Sequence, residues 1–194
     1  MNDVRYIKID DLKNIREYFF NNNAIVMLQL LNIGVNITLR ISDLLKLKFE
    51  DIQLDNTINV TEQKTKKTKT IKFNNTCIKS IEVLKEYYKK VGYEKYDSGF
   101  LFKSQHHKFK GKIDKPMDRS SAARWLREAR LSLGIQYPIG THSFRKTWGY
   151  NVYKCTKDIA IVMKAFNHSS PEITLRYIGI EQENMNALYD KFEI

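Results

Sequence analysis

The segment "RISDLLKLKFEDIQLDNTINVTEQK", residues 40–64, is where the chain changes its period, and the fold class turns on its reading. Ser42 can cap one short helical turn, after which apolar residues alternate through Leu47, Phe49, Ile58 and Val60, the spacing of a half-buried strand. Asp55-Asn56 supplies turn chemistry between strands. A second turn falls within "KTKKTK", residues 64–69, and "TIKF", residues 70–73, returns with Ile71 and Phe73 on one face. The pattern predicts a small antiparallel sheet of about three strands.

Everything on either side reads as helix. Asp10 or Asp11 can cap a first helix carrying Leu12, Ile15, Tyr18 and Phe19, and a second, more apolar helix runs from about Ala24 to Ile33. Beyond the sheet, Asn75 or Thr76 caps a stripe of Ile78, Ile81, Leu84, Tyr88 and Val91 that Gly92 ends. A charged loop, "KSQHHKFKGKIDKP" at 103–116, leads to Asp118 or Ser120 as cap of a helix through Ala123, Leu126, Ala129 and Leu133, closed by Gly134. Thr141 caps a helix over 142–154, Thr156 or Asp158 caps a segment to Phe166, and Ser170 with Pro171 opens another. Met185, Leu188, Tyr189 and Phe192 form an amphipathic tail. The expected fold is mainly α with a small antiparallel three-stranded sheet (α+β), in a single domain over 1–194.

Lys and Arg number 33 against 22 Asp and Glu, a formal charge of +11, which favours a polyanionic partner. Hydrophobic residues make up 42% of the chain, enough for a substantial core. Cys77 and Cys155 stand far apart with no metal-ligand spacing, so they read as buried thiols in a reducing cytoplasm. The most apolar window, "AIVMLQLLNIGV" at 24–35, is short and interrupted by Gln29 and Asn32, which makes it a core helix rather than a membrane span. His106 and His107 are adjacent, cannot converge on one metal from a regular element, and read as loop residues.

Chemistry gathers late in the chain. In "THSFRKTWGYNVYK", 141–154, His142, Arg145 and Gly149 fall on one side of a helix, beside an apolar stripe of Phe144, Trp148 and Val152. A His and an Arg projecting from a helix start suit an anion, although such a pair alone is a weak signal. In "FNHSSPEITLRYIG", 166–179, Asn167 can end one helix in a left-handed conformation, leaving His168 on the turn before the helix that carries Tyr177. A lone tyrosine is ordinarily a half-buried packing residue.

The order of the parts singles Tyr177 out. "LRISDLL" with Arg40, "EQKTKKTKTIKF" with its lysines, "HSFR" with His142 and Arg145, "NHSS" with His168 and "TLRYIG" with Tyr177 together resemble the catalytic domain of the tyrosine recombinases, the phage integrase family. The resemblance runs from about Ile9 to Tyr189. It implies a site-specific DNA recombinase that cuts and rejoins strands through a 3′-phosphotyrosyl intermediate, with no metal or cofactor. Arg40 and Arg145 would neutralise the non-bridging phosphate oxygens, and Tyr177 would attack phosphorus. His142 would be the acid/base group, His168 would hydrogen-bond the phosphate, and a hairpin lysine, best matched by Lys64, would protonate the leaving oxygen. Asp43 would support the first arginine. Lys66, Lys67 and Lys69, with Lys108 and Lys110 of the charged loop, would contact DNA phosphates.

Two positions depart from the family pattern, Thr38 and Asn167, each standing where glycine is usual. Asn tolerates the left-handed region, whereas Thr38 would be strained if its turn required positive φ. No N-terminal clamp domain precedes the motifs, as in a short recombinase or an excised fragment. The implied partners are double-stranded DNA with inverted-repeat sites and, on that DNA, three further copies in a tetrameric synapse. The free chain would be a monomer, and residues 180–194 would either pass to a neighbour or fold back on their own protomer. Two other readings remain open: a type IB topoisomerase-like nicking-closing enzyme, and a catalytically idle DNA-binding regulator of the same fold.

Overall fold

The structure, a computed structural model, describes residues 4–180 and Lys191. Its elements run α1 (Ile9–Asn21), α2 (Ile25–Gly34), α3 (Ile41–Leu44), a 3-10 turn (Phe49–Asp51), β1 (Thr57–Thr61), β2 (Thr68–Lys72), α4 (Asn75–Lys90), α5 (Arg119–Ser132), α6 (Thr141–Thr156), α7 (Ile159–Phe166) and α8 (Pro171–Ile178). Mainly α with one small antiparallel sheet is therefore the observed architecture.

Helix α2 is the centre of the main core. Met27, Leu30, Leu31 and Ile33 are each at most 1% exposed, and burial of each such side chain is worth roughly 1.5–3 kcal/mol. The two polar residues that interrupt this helix satisfy one another: Asn32 donates to Gln29 (3.2 Å) and accepts from Arg16 (2.8 Å). Helices α1, α4, α5 and the first half of α6 contribute Phe19, Leu84, Leu126 and Phe144 to the same cluster.

The sheet has two strands among the described residues rather than the expected three. Thr57–Thr61 pairs antiparallel with Thr68–Lys72, with Ile58 opposite Ile71 and Val60 opposite Lys69. The alternation at Leu47 and Phe49 has another origin. Both side chains are buried, but the backbone there meets residues 99–101, through Leu101 N to Leu47 O (2.8 Å) and Phe49 N to Gly99 O (2.9 Å). Only one isolated bridge forms, Lys48 with Phe100, before the chain winds into the 3-10 turn.

Most stop and start signals fall where the sequence puts them. Asp118 accepts from Ser121 N (2.7 Å), Asp158 from Ala160 N (2.8 Å) and Ser170 from Ile173 N (3.2 Å), with Pro171 as the first residue of α8. Three ends differ. Lys8 precedes α1, leaving Asp10 and Asp11 in its first turn, where Asp11 accepts from the Tyr137 hydroxyl (2.6 Å). Asn74, one residue before the expected cap, accepts from Cys77 N (3.0 Å). Arg40, not Ser42, is the residue flanking α3. Cys155 is exposed rather than buried; Cys77 is buried, and desolvation pushes its thiol up to about 11.

A second, smaller cluster lies under α7 and α8, built on Val162, Phe166 and Ile178. Gly149 of α6 makes room for it: a Cβ there would sit 2.5 Å from the Phe166 ring and 2.9 Å from Ile178. Gly149 thus serves packing and is not on the polar face with His142. The leading segment straps across this end of the molecule. Ile7 N donates to Thr147 Oγ1 (2.8 Å), Tyr6 stacks on Tyr150 with ring centroids 3.6 Å apart, and a Cβ on Gly179, just past α8, would lie 3.6 Å from the Tyr6 ring. Among the described residues no helix is long and apolar enough to cross a membrane. The tail residues Met185, Leu188, Tyr189 and Phe192 lie outside the described residues.

Candidate active site

Arg40 and Arg145 come from distant parts of the chain and meet at one carboxylate. Arg40 has extended backbone at the start of α3, so its side chain leaves the helix axis toward the hairpin. Its Nη1 lies 3.0 Å from Oε2 of Glu62. Arg145, on the second turn of α6 and 1% exposed, lies 3.2 Å from the other oxygen, Oε1. Its remaining donors go to main-chain carbonyls, Nη1 to Thr38 O and Nη2 to Phe166 O (2.7 Å), and its guanidinium carbon stands 4.4 Å over the Phe166 ring. Burial pulls the Arg145 pKa below its ordinary value, while the nearby Tyr177 acts in the opposite sense.

Glu62 was missed by motif reading, yet it is fully buried and holds three cations. The third is Lys69, with Nζ 3.1 Å from Oε1. Thr65 Oγ1 (2.8 Å) and Asn167 Nδ2 (3.1 Å) complete the shell on Oε2. Burial alone would raise this carboxyl; the Thr65 hydrogen bond, Lys69 and Asn167 outweigh it and hold the group down at about 2. Strand periodicity carries the signal that would have exposed it: Ile58 and Val60 point inward from β1, and Glu62 is next on that face.

The same periodicity corrects Lys69. It shares a face with Ile71, and its ammonium turns inward to Thr38 O (2.9 Å), Thr38 Oγ1 (3.0 Å) and Ala165 O (3.3 Å) instead of lying on the surface with Lys66 and Lys67. Thr38 itself is unstrained, because it is not among the positive-φ residues; it is buried and supplies two acceptors to Lys69. Asn167 does adopt the left-handed conformation, φ 55°, which ends α7.

That cap delivers His168 to the edge of Tyr177. Their ring centroids are 5.2 Å apart at 81°, Phe166 meets both rings edge-on, and the Lys146 ammonium lies 5.1 Å from the Tyr177 ring centroid. Lys146, 4% exposed, is a second residue that the motifs did not mark. His168 Nδ1 is 3.1 Å from Thr174 Oγ1. Desolvation, then the charges of Arg145 and Arg40, lower the His168 pKa to about 4, so its imidazole is neutral at pH 7. His142, half-buried near the start of α6, is lowered by burial and by Arg119, Lys146, Arg145 and Arg40.

Lys64 projects from the hairpin turn, exposed, and its charge is felt at His168. Lys66, with φ 56°, and Lys67 share that turn, exposed; Lys108 and Lys110 are exposed on the charged loop, Lys110 over the Tyr87 ring (5.5 Å). His106 and His107 lie side by side on the same loop, ring centroids 4.3 Å apart. Asp43 does not pair with Arg40. It is 3% exposed, and its Oδ1 accepts from Gln63 N (3.1 Å), bracing the residue between Glu62 and Lys64. Among the described residues no three His, Cys, Asp or Glu side chains group to hold a metal ion.

Known proteins share this fold. The chain is 38% identical to the probable integrase/recombinase YoeC of Bacillus subtilis (strain 168), over 95% of this chain and 93% of that protein. Among solved structures it is similar to the XerH site-specific recombinase in a post-cleavage complex with palindromic difH substrate, with a TM-score of 0.72 and 18% identity over 95% of this chain. It is also similar to a lambda integrase tetramer bound to a Holliday junction, with a TM-score of 0.66 and 16% identity over 91% of this chain. The chain spans about half of each of those two solved chains, 51% and 48%. The phage integrase family profile matches residues 5–184, nearly the whole of the described structure. On that profile match and that 38% identity, the chain belongs to the phage integrase family.

Proposed function

We propose that the chain is a site-specific recombinase that cleaves and rejoins DNA through Tyr177. The phenol oxygen of Tyr177 attacks the scissile phosphorus, the bond from phosphorus to the 5′ oxygen breaks, and a 3′-phosphotyrosyl linkage forms. Arg40 and Arg145 neutralise the non-bridging oxygens as negative charge grows on them. Neutral His168 offers a ring N–H to the phosphate, His142 takes the phenolic proton, and Lys64 protonates the leaving 5′ oxygen. Phosphotyrosine conserves the bond energy, so a 5′ hydroxyl from a second strand can reverse the step without ATP.

One observation carries this reading. Nη1 of Arg40 is buried and, although 3.0 Å from Glu62, makes no aligned hydrogen bond among the described residues. A guanidinium held at that carboxylate by charge, with an N–H that makes no aligned bond, beside a second arginine, suits an incoming phosphate oxygen. The partner is double-stranded DNA, read from exposed Lys64, Lys66, Lys67, Lys108 and Lys110 and the +11 charge. The palindromic substrate of XerH and the lambda integrase tetramer support inverted-repeat sites and a tetrameric synapse for this chain too. Acting on cellular DNA, it would work in the cytoplasm.

The test uses nicked duplexes cut from DNA flanking the gene. Wild-type chain should form a covalent protein–DNA product that Tyr177→Phe abolishes. No covalent product on any of them would leave the idle-regulator reading standing, and relaxation of supercoils without strand exchange would favour the topoisomerase reading.

A further inference from the structure

We infer that Glu62 is a positioning residue of the cleavage reaction, the anion that aligns both arginines and the hairpin lysine on one phosphate; this rests on the cleavage function proposed above. Four separate elements end at this side chain. Arg40 comes from the start of α3, Arg145 from α6, Lys69 from β2, and Asn167 from the cap that delivers His168. The fifth contact is local: Thr65 donates to the carboxylate (2.8 Å), Glu62 N donates to Lys67 O (3.0 Å) and Lys66 N donates to Glu62 O (2.9 Å). These bonds close the turn on which Lys64 stands, two residues from Glu62.

Charge explains why an acid is suited to a site that must bind an anion. Arg40, Lys69 and Arg145 repel one another at this range, and without a counter-ion their side chains would splay. One carboxylate holds them and still leaves an excess of two positive charges, matching the two negative charges that a phosphodiester acquires in its pentacovalent transition state. Arg40 is less enclosed than Arg145, with 16% side-chain exposure against 2%, so it can turn toward substrate while Glu62 keeps the frame. A glutamine cannot replace this group: its amide NH₂ would face buried cations, and one arginine or the lysine would leave.

The experiment compares wild type, Glu62→Gln and Tyr177→Phe on the nicked substrate. It measures DNA dissociation constant, single-turnover cleavage rate and thermal unfolding. Wild-type cleavage with none by Tyr177→Phe establishes the reaction independently of Glu62. Glu62→Gln should then keep its DNA affinity within about threefold and lose at least about 100-fold in cleavage rate, a loss of transition-state alignment rather than of binding. If Glu62→Gln gives no cooperative unfolding, Thr65→Val is measured instead, which keeps every ion pair and should slow cleavage by about 3- to 10-fold with affinity unchanged. Cleavage within threefold of wild type by the folded variant, or equal losses of binding and cleavage, would overturn the assignment.

Discussion

The two arginines and Tyr177 stand on very different foundations. Arg40, Arg145 and Glu62 are anchored in or beside the main core, where α2, α4 and α6 bury side chains to the last few per cent. His168 and Tyr177 ride on α7 and α8, two helices of eight residues whose own cluster has three buried members. The charged half of the site is therefore fixed by the fold, and the reacting half is lightly held. Phe166 spans both: its carbonyl accepts from Arg145, and its ring touches Tyr177 and His168. As the proposed nucleophile, Tyr177 would gain from this division, because the two arginines are set in advance while the tyrosine can be brought to a phosphate held between them.

Breaking each half should separate them. Arg145→Ala should cost about 4 kcal/mol of global stability, since it strands buried Glu62 among fewer partners, and amide exchange should speed up across α2 and α6 alike. Phe166→Ala should cost about 3 kcal/mol, with the loss of amide protection confined to residues 159–178. Faster exchange throughout α2 in that variant would contradict the division. Gly149→Ala, which forces a Cβ against Phe166, should cost about 1–3 kcal/mol and slow cleavage more than DNA binding. Thr38→Gly removes one acceptor from Lys69 and leaves the carbonyl, so a loss of about 1 kcal/mol is expected in a denaturation midpoint.

Acid should act on the two halves in sequence. The folded pKa of His168, about 4, lies below the ordinary 6.5, so the unfolded chain binds the extra proton and stability falls as pH drops from 6.5 toward 4. Glu62, also depressed, contributes stability above its ordinary 4.5 that is lost as pH falls toward about 2. Between pH 7 and 5 the wild type should lose about 2–4 °C more in Tm than His168→Gln, roughly 1 kcal/mol. An identical slope in the variant would remove His168 from this account.

What could be read in advance follows the same division. Local rules governed the caps: Asp118, Asp158 and Ser170-Pro171 depend on atoms two or three residues away, and they sit where the sequence puts them. Five motif residues of the site were legible through resemblance. Glu62 was not, because its partners lie 22, 83 and 105 residues away and a lone acid after a strand looks like surface. Lys69 was misread for a related reason: among five lysines in residues 64–72, composition says solvent, while the pleat says core. Asp43 was placed beside the wrong neighbour, a matter of which carboxylate reaches Arg40 that spacing along the chain does not determine.

The strap of residues 4–8 has a mechanical reach out of proportion to its length. Tyr6 leans on Tyr150 and on Gly179, two positions past Tyr177, while its neighbour Ile7 is moored to Thr147 on the helix of Arg145. Displacing residues 4–8 would thus disturb both the turn after Tyr177 and the helix that holds Arg145, by a route of a few side chains that bypasses the large core.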